Sequence, residues 1–117
     1  MAELVIKSIA GTNAGTLAAA ATADENFISE ADQFYSPFTD SFFSNNSQSP
    51  NDVDLRITPN GDQRLSFVIL AGQSIPTTIR FRYFNITNIH ATNTLQVGAF
   101  EFTTKATRED RTVPRIL

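Results

Sequence analysis

The chain has no cysteine and no tryptophan, one histidine, one methionine and two lysines among its 117 residues. Without cysteine there are no disulfides and no thiolate metal sites. Without tryptophan a tryptophan-lined sugar cleft is excluded, and Tyr35 and Tyr83 are the remaining platforms on which a carbohydrate ring could stack. No run approaches the roughly 18 apolar residues of a membrane helix, so no membrane partner is expected. The N-terminal stretch lacks the basic start and continuous apolar core of a secretory signal, because Lys7 follows Leu4, Val5 and Ile6 instead of preceding them. No glycine-rich phosphate loop is present.

The residues that could carry chemistry are scattered. His90 lies in the polar stretch Asn85–Asn93, far from any nucleophile signature, and reads as a surface histidine, not a base held by an oriented partner. Asp52 with Asp54, and Asp24 with Glu25, supply too few oxygens for a calcium site, which takes about six. Asn45-x-Ser47 and Asn85-x-Thr87 match glycosylation acceptors, without a secretory signal to go with them. The expectation is a chain that is not an enzyme and needs no cofactor and no metal.

What is present describes one globular domain. The apolar fraction is 41% and the charged fraction 18%, so the surface must rely on Ser, Thr, Asn and Gln. The net charge of −3 hides an asymmetry. Residues 1–54 hold eight carboxylates against Lys7, a balance of −7, whereas residues 55–117 hold eight basic side chains against four acids, a balance of +4. The halves can neutralise each other within one domain, with Arg80 and Arg82 bridging to the acidic half, or pair head to tail between copies. Arg80-x-Arg82 followed by Phe84 has a basic and aromatic pattern, but the acidic total argues against nucleic acid as a partner.

The segment 52–86 gives the clearest structural signal. Val53, Leu55 and Ile57 alternate with polar residues, and Leu65, Phe67 and Ile69 do so again, the period of half-buried strands. A two-residue Asn60-Gly61 turn would set Ile57 opposite Arg64 and put the two apolar sets on different faces. A three-residue loop of Pro59, Asn60 and Gly61 instead pairs Thr58 with Asp62, Leu55 with Leu65 and Val53 with Phe67, with Pro59 at the first corner. After the break at 71–74, residues 75–86 read as one strand with Ile75, Ile79, Phe81 and Tyr83 on one face and Pro76 near the strand start or on an unpaired edge.

Further strands are expected over 3–9, 17–23, 53–58, 63–70 and 94–104, and over parts of 27–35 and 112–116. In the 94–104 strand the apolar parity switches between Ala99 and Phe100, which suggests a bulge near Gly98 or a strand buried on both sides. Residues 105–117 form a C-terminal tail, charged and then apolar around Pro114. The fold class is all-β: an antiparallel β-sandwich or small jelly roll with a long Phe-rich arm or loop.

That arm, residues 24–51, holds half of the ten phenylalanines. Phe27, Ala31, Phe34, Tyr35 and Phe38 have helical spacing up to Pro37, which would end any helix. Two roles are open to these rings: covering the sandwich of their own subunit, or anchoring a neighbour. The reading taken is the second, with Phe27, Phe34, Tyr35, Phe38, Phe42, Phe43, Arg80 and Arg82 at a subunit interface. It makes the chain a structural component of a larger assembly, a virion protein such as a minor capsid, decoration or head-to-tail protein of a bacteriophage. Its partners would be copies of itself and other virion proteins. A carbohydrate-binding or adhesive module is the alternative.

Overall fold

The computed structural model describes residues 3–13, 15–26 and 37–110, about half of them in strands and none of them in an α-helix. The strands are β1 (Glu3–Thr12), β2 (Thr22–Asn26), β3 (Thr39–Asn45), β4 (Leu55–Pro59), β5 (Phe67–Ile69), β6 (Ser74–Thr77), β7 (Tyr83–Asn88) and β8 (Phe100–Asp110). They form two four-stranded sheets, ordered β1-β8-β3-β6 and β2-β7-β4-β5, with every pairing antiparallel. Apart from β4 to β5, every connection crosses from one sheet to the other. This winding is that of an eight-stranded jelly roll.

The two inner faces enclose an aromatic core. Phe38, Phe43, Phe81, Phe84 and Phe100 are each at most 1% exposed. Phe43 is the hub, its ring centroid within 6.5 Å of those of Phe67, Phe81, Phe84, Phe100 and Phe102. Rings packed edge to face and offset gain about 0.5–1.5 kcal/mol per pair beyond the area they bury.

Several expected boundaries move. The 17–23 strand reduces to a single bridge between Leu17 and Leu95, and the regular strand is β2 at Thr22–Asn26. Ala20, with φ 62°, lies in the turn between them. The expected strand 75–86 is two strands in different sheets, β6 and β7, joined by a crossing at 78–82. The crossing inverts the face pattern, so that Tyr83 is exposed while Phe84 and Ile86 are buried. Pro76 does sit on an edge, since β6 pairs only with β3 among the described strands. The 94–104 strand becomes β8 at 100–110, and the parity switch comes from a turn at Val97-Gly98, with Gly98 at φ 76°. Residues 105–110 of the expected tail are therefore strand, paired with β1; 111–117 lie outside the described residues.

The β4–β5 hairpin departs from both expected registers. Leu55 pairs with Ile69, and Ile57 with Phe67, a slide of four residues relative to the expected Leu55–Leu65. An even slide keeps every side chain on its face, so alternation alone does not distinguish the two. Asn60 and Gly61 both have positive φ, 55° and 67°, and the Asp62 amide donates to the Pro59 carbonyl at 3.0 Å. This is a type I′ turn with Pro59 before the corner, not at it. A 3₁₀ turn at Gln63–Leu65 then takes up the residues that the expected strand 63–70 would have used.

Candidate interaction surface

A β-bulge in β3 decides which aromatic rings are available. Thr39 pairs with Lys105 of β8 and Phe42 with Thr103, so three steps along β3 match two along β8. Asp40, at φ 51°, is the residue that lets the strand bend. The extra residue reverses the alternation, which is why Phe38 and Phe43, an odd number apart, both point into the core. Ser41 also turns inward, where its hydroxyl meets that of Thr104 at 2.6 Å, and the Thr104 hydroxyl reaches the Thr39 carbonyl at 3.2 Å. Phe42 is left on the outer face, 44% exposed, directly across from Pro76 of β6.

Beside Phe42 runs an open groove of about 600 Å³ lined by Asp40, Ser41, Phe42, Pro76, Thr77 and Thr78. The surrounding outer face of this sheet carries Ser8, Ala10, Thr12, Glu101, Thr103 and Lys105, all exposed. It is a flat surface of small and hydroxyl side chains with one large ring.

A second polar cluster closes the other sheet. The Asn60 side chain donates to the Arg80 carbonyl at 3.1 Å and accepts from the Arg82 amide at 2.9 Å, fixing the crossing segment to the β4–β5 turn. The Tyr83 hydroxyl donates to the Asn60 carbonyl at 2.9 Å. Arg80 and Arg82 project exposed side chains from this clamped segment. At the base of the turn Arg64 forms a two-pronged pair with Asp62, and its hydrogen bonds hold the Asp62 carboxyl below its ordinary value.

His90, Asp54 and Asn45 are each occupied with structure. His90 Nδ1 accepts from the amides of Thr92 and Asn93, at 3.0 and 2.8 Å, and so organises its own loop. Asp54 accepts from the Ala71 amide. Asn45 of the first glycosylation triplet is fully buried: its amide donates to the Val53 and Ile69 carbonyls, and its oxygen accepts from the Ser47 amide and hydroxyl. Among the described residues no three His, Cys, Asp or Glu side chains gather as a metal site, and no helix is long and apolar enough to cross a membrane.

The eight residues expected at a subunit interface thus separate. Phe38 and Phe43 are core residues, a correction that follows from the bulge. Phe42 alone of the described arm rings is exposed. Arg80 and Arg82 are exposed at the crossing. Phe27, Phe34 and Tyr35, with the helical spacing read there, lie outside the described residues. The long irregular connection of 24–51 is also shorter than expected, because β2 runs to Asn26 and β3 begins at Thr39.

No family model matches the chain, and no curated protein matches it. Among solved structures it is similar to one described as "Bacillus endospore appendages form a novel family of disulfide-linked pili", at 13% sequence identity and a TM-score of 0.56. The match covers 94% of this chain and 91% of that one. At this identity the likeness is one of fold.

Proposed function

We propose that the chain is a non-enzymatic structural subunit that associates with copies of itself in a larger assembly. The observation that carries this reading is Phe42. A bulge holds this ring on the outer face of a sheet, beside Pro76, in a groove that nothing among the described residues covers. A large ring on a flat hydroxyl-rich face is the kind of anchor that protein interfaces use. The fold likeness to a pilus protein supports the same class of role, and the described polar side chains offer no nucleophile paired with a base.

The finer reading is a virion component, a minor capsid, decoration or head-to-tail protein of a bacteriophage, with other virion proteins and no nucleic acid as partners. The likeness to an appendage protein favours a second reading, a filament subunit. Joints in such a filament would not be disulfides of this chain, which has no cysteine. Light scattering on the purified chain over a range of concentrations tests the shared claim: a strict monomer throughout would overturn it. Electron microscopy of the associated material separates the finer readings, open filaments favouring the second and rings or shells the first.

A further inference from the structure

The four sheet edges of the jelly roll are protected unequally. β6 is four residues long and contains Pro76, β5 is three residues long, and β2 is five residues long and carries Asp24 and Glu25. Short length, proline and charge are the usual guards against pairing with another chain. β1 is ten residues long, with no proline, and pairs only with β8 among the described strands.

The first half of β1 lies beyond the described span of β3. Among the described residues β3 pairs with β8 no further than Thr39–Lys105, whereas β1 and β8 stay paired on to Glu3–Asp110. The register there sets the backbone of Glu3 opposite that of Asp110. Ile6 on the same segment is 63% exposed.

The sequence of this segment, Glu-Leu-Val-Ile-Lys, is complementary to its own reverse. We propose that β1 pairs antiparallel with β1 of a second copy, across a two-fold axis at Val5. That register sets Glu3 opposite Lys7 of the copy and Lys7 opposite its Glu3, Leu4 opposite Ile6 in both directions, and Val5 opposite itself. Direct partners share a face in this register, so the outer and inner faces of the two sheets stay in phase. Each Glu3, in register with Asp110 on one side, then has a lysine in register on the other. The two β1–β8 pairs become one four-stranded joint, β8-β1-β1-β8, with the two sandwiches at opposite ends, clear of each other. The interface is isologous, which a two-fold requires. This inference rests on the proposal that the chain self-associates, and it names the edge through which one contact is made.

The absence of native cysteine gives a direct test. In the proposed register the two Val5 Cα atoms lie about 4.5–5.5 Å apart, within disulfide range. Val5→Cys should therefore yield a disulfide-linked dimer on a non-reducing gel after mild oxidation. Thr12→Cys, seven positions from the axis, should stay single. Lys7→Glu places like charges opposite each other twice and should weaken association on the order of tenfold; adding Glu3→Lys should restore it. Circular dichroism checks that each variant keeps its sheet. If wild-type chains associate but Val5→Cys does not cross-link and Lys7→Glu changes nothing, this edge is wrong while self-association stands. A wild-type chain that is monomeric throughout, with no cross-link at position 5, would overturn both.

Discussion

Phe43 of β3 and Phe84 of β7 meet edge to face between the two sheets, 5.1 Å between ring centroids at an interplanar angle of 84°. The contact joins the middles of both sheets, and four more rings pack around Phe43. Phe43→Ala should cost about 3–5 kcal/mol in denaturant unfolding, as expected for an aromatic ring deleted from a filled core.

The adjacent residue should behave in the opposite way. Phe42→Ala removes a ring from the outer face and should leave unfolding within about 0.5 kcal/mol of wild type. Its effect should appear instead in the associated mass measured by light scattering. If Phe42→Ala unfolds the protein as readily as Phe43→Ala does, the bulge has been misplaced.

Asn45→Ala should destabilise by about 3 kcal/mol or more, because two carbonyls and two Ser47 donors lose their buried partner together. Asn45→Asp keeps the acceptor but loses both donations to the Val53 and Ile69 carbonyls, so it should be no better. Parallel denaturant titrations of the two variants test this.

At the β4–β5 turn, Gly61 has φ 67°, and a Cβ built there would lie 3.0 Å from the Tyr83 hydroxyl. Gly61→Ala should cost about 1–2 kcal/mol from the left-handed backbone alone. Tyr83→Phe removes both the hydroxyl in the way and its bond to the Asn60 carbonyl. The double variant should then cost less than the sum of the single ones, a coupling that a double-mutant cycle reads directly.

The Asp62 carboxyl is held below its ordinary value of 3.8, first by the Arg64 side-chain hydrogen bond and then by the Arg64 amide. A lowered carboxyl pKa in the folded state means that the contribution is complete above 3.8 and is lost as pH falls through the folded value. The pair lies on the surface, so its effect on overall stability should be small. NMR titration of the Asp62 carboxyl should show the depressed value in wild type, and Arg64→Ala should raise it.

The sequence carried the sandwich plainly and the site poorly, for reasons that sit in particular residues. Alternation at Val53, Leu55 and Ile57 marked a strand because nothing interrupts the period there. At Phe38, Phe42 and Phe43 the period is broken by the extra residue at Asp40. Asn60 and Gly61 form the two-residue turn that the expected register excludes, because the 3₁₀ turn after it breaks the link between turn type and register. The crossing at 78–82 looked like one long strand because Ile79 and Phe81 continue the apolar alternation through a change of sheet. The segment Glu3–Lys7 had a readable signal in its self-complementary order of charges and aliphatics. It acquires meaning only once β1 and β8 are known to stay paired beyond the described span of β3.

Glu3 pairs with Asp110, so the first strand described has its partner in the last. A growing polypeptide emerging from the ribosome cannot assemble the β1-β8-β3-β6 layer until β8 has been made. Until then Phe43 has neither Phe100 nor Phe102 to cover it. Contacts so distant along the chain slow folding, and the interval in which those rings stand uncovered is the time during which a chaperone would have to shield them.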